Sequence, residues 1–175
     1  MVVPGIGIFE RDRFGALVSE ALPVVALGGK RCSFELEGYE GDPHPDDFLQ
    51  AVRNVLGASQ RLLLDATPYV HQYCVEMLDL WGDEAPELVI QRPEDVWQHV
   101  DLGSAFVVSR DFGPGRDVFV SLECNCAWEA EHGLQLVFKN GREISKVGPF
   151  DGHVSNASAY ADTTLEDVIY KAVAH

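Results

Sequence analysis

The sequence predicts an α+β fold: antiparallel sheets from an N-terminal and a C-terminal run of strands, two or three helices between them, and a short C-terminal helix packed on the sheet. Strand patterns stand before and after the helical patterns, which is the α+β order. The chain has 175 residues, 46% of them apolar, enough to bury one core. No repeat, low-complexity tract or linker divides it, so we expect a single domain over residues 1–175.

Short strands are predicted first along the chain. They cover residues 6–11, 16–20, 23–27 and 32–39. In the last of them, apolar Phe34 and Leu36 alternate with glutamates, the period-two pattern of a strand with one buried face. Gly28 and Gly29 indicate a turn between the third and fourth strands.

Helices are predicted next. Pro45 suits a first helical position, Asp46 and Asp47 suit the positive end of the helix dipole, and an apolar stripe runs on to Gly57. A second helical pattern runs over residues 59–81, and Pro68 must kink or split it. A short helical turn is expected after the proline at position 93.

In the second half of the sequence, strands are predicted over residues 105–110, 117–126, 132–139 and 142–147. Asn140 and Gly141 form the pair typical of a two-residue type I′ hairpin turn, which would place Phe138 opposite Glu143. A capping box over residues 163–166 then predicts a last helix, whose apolar face would dock on the sheet. That face consists of Leu165, Val168, Ile169, Ala172 and Val173.

The charge is strongly negative. Thirteen Lys and Arg stand against 28 Asp and Glu, which gives a formal net charge of −15. Such a surface repels nucleic-acid phosphates and anionic membranes and attracts basic partners, so we expect a basic protein partner, no nucleic acid and no membrane. The acids cluster without an intervening Lys or Arg over residues 35–47 and 76–87, where they form either a solvated face or a docking surface.

The chain is expected to act in the cytoplasm. Its first residues have no basic region followed by a long apolar run, so no export signal is expected. Of the four cysteines, Cys124 and Cys126 lie two apart on the apolar face of a predicted strand, where disulfide geometry is poor. We therefore expect both thiols to be reduced and buried.

One group of residues can carry chemistry. The predicted strand order brings three segments to one end of the sheet, with the loop from residue 128 to 133 beside the turn at 151–153. Because the hairpin fixes the register, His132 is expected across from the neighbourhood of Pro149. The candidate binding residues gathered there are Trp128, Glu129, Glu131, His132, Asp151 and His153.

Three interpretations of this group stay open. In the first it is structural, with thiols filling the edge of the core. In the second, Cys124, Cys126, His132 and His153 bind zinc, although the usual C-x₂-C spacing is absent. In the third it is a hydrolase-like active site with a cysteine nucleophile, a histidine base and Glu131 or Asp151 orienting that base. No nucleophile elbow or metalloprotease motif supports the third interpretation.

These segments also carry a resemblance. The run Cys124-Asn125-Cys126-Ala127-Trp128-Glu129-Ala130-Glu131-His132-Gly133-Leu134-Gln135, followed by Asp151-Gly152-His153, resembles an uncharacterised family of small bacterial domains. The resemblance is good over about residues 104–160, and it implies no activity and no cofactor. We therefore expect a non-catalytic, immunity-protein-like binding protein without a cofactor. A zinc-binding domain and a hydrolase-like enzyme are the alternatives.

Overall fold

The computed structural model describes residues 1–112 and 115–172 of the chain. Within them, strands join into one ten-stranded mixed sheet. In chain order the strands are β1 (Val2–Val3), β2 (Gly7–Arg11), β3 (Leu17–Ser19), β4 (Leu22–Val24), β5 (Lys30–Leu36), β6 (Val100–Asp101), β7 (Ala105–Arg110), β8 (Val118–Cys126), β9 (Glu129–Lys139) and β10 (Glu143–Gly148).

The α-helices are α1 (Asp46–Gly57), α2 (Arg61–Leu64), α3 (Thr67–Trp81) and α4 (Asn156–Tyr160). Short 3-10 helices cover Val25–Leu27, Tyr39–Gly41, Gly82–Glu84, Pro93–His99 and Thr163–Leu165. As predicted, α1 has Asp46 and Asp47 in its first turn. Pro68 lies at the start of α3, where its missing N–H is not needed, and it thereby separates α2 from α3.

The strand order corrects the predicted layout. The sheet runs β1-β2-β3-β5-β7-β8-β9-β10, with β4 paired to β5 and β6 paired to β8 beside that path. β5 and β7 are parallel, from Ser33 opposite Ala105 to Leu36 opposite Val108, and the other strand pairs in the described residues are antiparallel. The prediction of antiparallel sheets is therefore wrong, because the two strand runs form one mixed sheet.

This parallel pair has a physical cause. Parallel neighbours need a crossover of a dozen or more residues, and the segment that holds α1, α2 and α3 supplies it. Phe34 and Phe106 lie opposite each other in β5 and β7, both fully buried, with their rings stacked at a centroid distance of 5.0 Å. Alternation along a strand indicates which side chains are buried, but not the direction of the neighbouring strand.

The two faces of the sheet are covered differently. α1 packs against β7 and β8, and α2 and α3 pack against β10, with Leu122 and Leu136 in the apolar core beneath them. Gln135 alternates with Leu136 and faces the other side, where its Nε2 donates to the backbone oxygen of His153 at 3.1 Å. No helix in the described chain is long and apolar enough to cross a membrane.

The predicted C-terminal helix is also wrong. Thr163–Leu165 forms a single 3-10 turn, capped by Asp162, whose carboxylate accepts from the backbone N–H of Thr164 at 2.9 Å. The next residues of the described chain are not helical. Val173, the end of the predicted apolar stripe, lies outside the described residues.

The chain after this turn instead follows the edge of the sheet. Val147 of β10 donates its N–H to the backbone oxygen of Ile169 at 2.8 Å and forms a parallel bridge with Tyr170. An edge strand leaves backbone groups unpaired, and the β-branched and aromatic residues Val168, Ile169 and Tyr170 favour an extended partner for it. Pairing with β10 therefore outweighs the local helical pattern.

The hairpin between β9 and β10 confirms the turn conformation but not the predicted register. Asn140 and Gly141 have positive φ values of 52° and 66°, as a type I′ turn requires. Phe138 pairs with Ile144, however, not with Glu143. The turn holds one residue more than predicted, and a bulge after Ile144 shifts the later pairs further.

Candidate functional site

A cleft of about 560 Å³ opens at the end of the sheet where β9 begins and β10 ends. α3 forms one wall, and the loop after β10 together with α4 forms the other. We call it the acidic cleft and define it by its lining residues, which are Tyr73, Met77, Trp81, Glu129, Glu131, His132, Pro149, Phe150, Asp151, His153, Ala159 and Tyr160.

The two segments predicted to meet do lie side by side. The backbone N–H of Phe150 donates to the backbone oxygen of His132 at 3.1 Å. The backbone neighbour of His132 is thus Phe150, the residue after Pro149, which agrees with the predicted neighbourhood. Of the predicted binding residues, all except Trp128 line the cleft.

Trp128 supports the cleft from below. Its side chain is 1% exposed and packs edge-to-face against Tyr73, with ring centroids 6.0 Å apart. The Tyr73 hydroxyl donates to the backbone oxygen of Gly133 at 3.1 Å, which ties α3 to β9. The indole Nε1 of Trp128 is buried without a hydrogen-bond partner.

The start of β9 holds a fixed carboxylate. Glu129 has an 8% exposed side chain, and its oxygens accept backbone N–H bonds from Glu131 at 2.8 Å and from His132 at 2.7 Å. His132 Nδ1 lies 3.3 Å from the second oxygen. In the described part of the chain, no Lys or Arg forms an ion pair with Glu129. This buried carboxylate has no permanent positive partner.

Lys146 fixes the opposite loop. Its side chain is 2% exposed and donates to the Asp151 carboxylate, to Gln135 Oε1 at 3.1 Å and to the His153 backbone oxygen at 2.9 Å. Burial lowers the pKa of Lys146, while the carboxylate of Asp151 acts in the opposite direction. Asp151 also accepts the backbone N–H of His153 at 2.9 Å. The turn at Asp151 and His153 is thereby held in one conformation.

His153 has one atom that this network does not satisfy. Its ring Nδ1 is buried and has no hydrogen-bond partner. Buried polar atoms in folded proteins are nearly always paired, so such an atom at the wall of a cleft is a feature that a ligand can complete.

Similarity to known proteins is found at the level of one family. The model of the family described as "Domain of unknown function (DUF6985)" matches residues 5–154. The chain belongs to this family. The match reaches well beyond the predicted resemblance on its N-terminal side, and it includes β9, β10 and the turn at His153, while α4 lies after it. No curated protein and no solved structure matches the chain.

The cysteines of this DUF6985 domain are free and buried, which confirms the prediction for Cys124 and Cys126. Burial raises the pKa of each of these two thiols to about 12. The Cys126 thiol donates to the backbone oxygen of Glu129 at 3.4 Å, and neither cysteine lines the acidic cleft. Since the thiolate is the nucleophile and the metal ligand, both thiols are inert at neutral pH.

The described residues of this DUF6985 domain contain no set of side chains suited to bind zinc. In residues 1–112 and 115–172, no three His, Cys, Asp or Glu side chains are grouped so that they could hold a metal ion. Cys124 instead borders a different cavity, beside Lys30 and Glu123.

Sequence reasoning missed the apolar wall of the cleft. Tyr73, Met77 and Trp81 recur every four residues along α3 and line the cleft together, with Trp81 46% exposed. The same spacing is typical of a helix face that packs into the core, so the sequence alone does not predict a cleft here. The exposed tryptophan at the end of that stripe is the signal that separates a lined cleft from a closed core.

The acidic runs of the sequence are only partly available to a partner. Asp42 and Asp47 pair with Arg110, at 2.5 Å and 3.0 Å, and this guanidinium lowers the pKa of both carboxyl groups. Asp83 and Glu84 are exposed directly after Trp81 of the cleft. The first pair of acids stabilises the fold, and the second is free to attract a cation.

Proposed function

We propose that the chain is a non-catalytic binding protein that holds a basic segment of a protein partner in the acidic cleft. The observation that carries this proposal is the composition of the cleft wall. Apolar and aromatic side chains form most of it, while Glu129 and Glu131 bring carboxylates that have no Lys or Arg partner in the described chain. A basic side chain has an apolar stem and a charged end, and both are complementary to such a wall.

The overall charge supports the same partner. A net charge of −15 creates a negative potential that speeds the approach of a basic protein. An acidic domain that neutralises a basic toxin, as immunity proteins do, is one form of this function. The free thiols favour a reducing compartment such as the cytoplasm.

A binding role fits the cleft better than catalysis by a cysteine nucleophile. The lining of the cleft includes carboxylates and imidazoles but no Cys side chain. The nucleophile that the hydrolase-like interpretation requires is therefore absent from this lining. The buried thiols of Cys124 and Cys126 lie outside the cleft and stay protonated.

A pair of charge reversals tests this proposal. Glu131→Lys places a cation in the cleft, and Glu123→Lys makes the same charge change at an exposed position of β8 outside it. The probe is a short labelled peptide that alternates serine with arginine and lysine, and its affinity is measured by fluorescence anisotropy. We expect Glu131→Lys to weaken binding by about tenfold, or about 1.4 kcal/mol, through direct repulsion in the cleft.

The control variant decides between a site and a general charge effect. Glu123→Lys is expected to weaken binding by less than about threefold, since this exposed side chain does not line the cleft and its charge is screened by solvent. Equal losses in the two variants would show that only net charge matters, and the proposal for the cleft would be wrong. A peptide in which glutamate replaces the basic residues should not bind either variant.

A further inference from the structure

We infer that the acidic cleft is built for an arginine side chain of the partner, held by Glu129 and stacked on the aromatic wall. This inference rests on the proposed function and names the residue that the cleft selects. It follows from the geometry of the carboxylate, from the exposed aromatic rings and from the difference between a guanidinium and an ammonium group.

The first step is the orientation of Glu129. A carboxylate has about four acceptor positions, two on each oxygen, and can receive a guanidinium through two parallel N–H bonds. One backbone N–H, from Glu131 or His132, occupies one position on each oxygen. One position on the first oxygen is left, and the remaining position on the second oxygen faces the His132 ring, whose Nδ1 lies 3.3 Å away. Because this ring is 55% exposed, an entering guanidinium can displace it and then bond to both oxygens. Because the backbone holds the carboxylate in place, little entropy is lost when a ligand binds.

The second step concerns charge. Glu129 is almost fully buried, and its one ionisable partner in the described chain is His132, which balances the carboxylate only when it is protonated. A buried charge without a counter-charge is costly. A cation that enters the cleft removes this cost, so the site favours a positively charged ligand beyond the general attraction of an acidic surface.

The third step concerns the aromatic rings. Trp81, Phe150 and Tyr160 line the cleft and are 46%, 39% and 52% exposed, so their rings are open to a ligand. The ring of Tyr160 already accepts a cation, since Lys171 Nζ lies 5.8 Å from its centroid. Cations are attracted to the faces of aromatic rings, and guanidinium groups also stack on them.

The fourth step separates arginine from lysine. An ammonium group is a compact and strongly hydrated charge, whereas a guanidinium is planar, weakly hydrated and carries five N–H donors. A half-apolar cleft penalises the loss of hydration of an ammonium more.

The test compares two blocked tripeptides, Gly-Arg-Gly and Gly-Lys-Gly, by titration with chemical-shift mapping on the full chain. Both titrations are run at the same pH and salt concentration, so that the two peptides differ only in the basic side chain. We expect Gly-Arg-Gly to bind about tenfold more tightly, the factor that corresponds to one charge-assisted hydrogen bond. The largest shifts should fall on residues 129–132 and on the Trp81 indole.

Two variants and one control complete the test. Glu129→Gln should abolish the preference for arginine, because a neutral amide has neither the charge nor the two acceptor oxygens. Glu123→Gln, which removes the same charge outside the cleft, should keep it. Glu129→Gln also weakens the backbone bonds of its own loop, so Trp81→Ala on the opposite wall gives a second measurement. Its affinity for Gly-Arg-Gly should fall by about threefold.

The outcomes separate this inference from the proposed function. If both tripeptides bind equally and Glu129→Gln has no effect on their ratio, the inference is wrong, while capture of a basic partner is still supported by the Glu131→Lys result. If neither tripeptide binds but the longer peptide still loses affinity with Glu131→Lys, the inference is again wrong. If the longer peptide shows no dependence on the cleft, both fail.

Discussion

At the scale of single residues, burial controls the chemistry of the cysteines. Cys124 and Cys126 have a pKa near 12, against an ordinary value of 9.0. Because the folded state holds these protons more tightly than the unfolded chain, the thiols stabilise the fold fully below about pH 9, and this contribution is lost as the pH rises towards 12. Burial also raises the pKa of the Cys74 thiol to about 11, so the buried thiols together make stability sensitive to alkaline pH.

We predict that the free energy of unfolding falls steadily above about pH 9, and that the fall is shallower in Cys124→Ala. Urea unfolding at a series of alkaline pH values measures both slopes. Labelling of the native thiols at neutral pH should be slow, since the reactive thiolate is scarce. Identical slopes in the two proteins, or rapid labelling without denaturant, would contradict the prediction.

Predictions for single residues were confirmed where they depended on the alternation of side chains along a strand or on the order of the strands. Alternation along β8 was enough to predict that Cys124 and Cys126 are buried, and the order of segments was enough to place His132 beside the turn at His153. The sequence pattern did not predict the burial of Lys146, whose ammonium group is covered by Asp151 and the loop around it. A lysine in a strand normally faces solvent, and only the return of the chain over that face shows otherwise.

At the scale of elements, the β9–β10 hairpin is set against α1. Gly141 has a φ of +66°, and a Cβ added there would lie 2.3 Å from the backbone oxygen of Ala51 in α1. Gly28 has nearly the same φ, +67°, but a Cβ there would have no neighbour within 4 Å. The two glycines therefore differ in their contact with the rest of the protein and not in backbone conformation.

We predict that Gly28→Ala costs about 1–2 kcal/mol of stability, from the left-handed conformation alone. Gly141→Ala should cost about 3–4 kcal/mol, because the clash with α1 is added to the same strain. Equilibrium unfolding in urea gives both values. If the two variants are equally destabilised, the hairpin does not press on α1 as described.

Predictions for helices and strands were wrong where backbone pairing with a segment distant in sequence outweighs the local sequence pattern. The helices α1 and α3 and the turn at Asn140 follow from capping, stripe and turn residues that are close in sequence. The C-terminal segment around Ile169 also has a helical stripe, but the open edge of β10 offers it backbone partners that the local sequence does not reveal. The direction of β7 beside β5 is likewise decided by a long crossover.

At the scale of the whole molecule, the proposed capture of a basic partner depends on the formal charge of −15. We predict that the on-rate of the basic peptide falls at least about tenfold between roughly 0.01 and 0.15 M salt, as the screening length falls from about 30 Å to about 8 Å. Stopped-flow fluorescence measures this rate. A rate that does not change with salt would leave the acids as aids to solubility only.

Charge reversal provides the matching control for this prediction. Replacing the exposed Asp83 and Glu84 by Lys should slow association and leave the melting temperature nearly unchanged. Asp47→Lys should instead lower the melting temperature, because it breaks ion pairs with Arg110 and Arg116. A similar loss of stability in both proteins would contradict this division of the acidic surface.

The parallel pair of β5 and β7 also bears on how the chain folds. Each half of the sheet can form from neighbouring hairpins, but the halves join only when Ser33 meets Ala105 and the helical crossover has closed between them. The long crossover must close before β5 and β7 can form their contacts. The entropy cost of closing this loop slows folding. Until then the facing edges of the two half-sheets are unpaired, and this intermediate is the species most exposed to aggregation during synthesis.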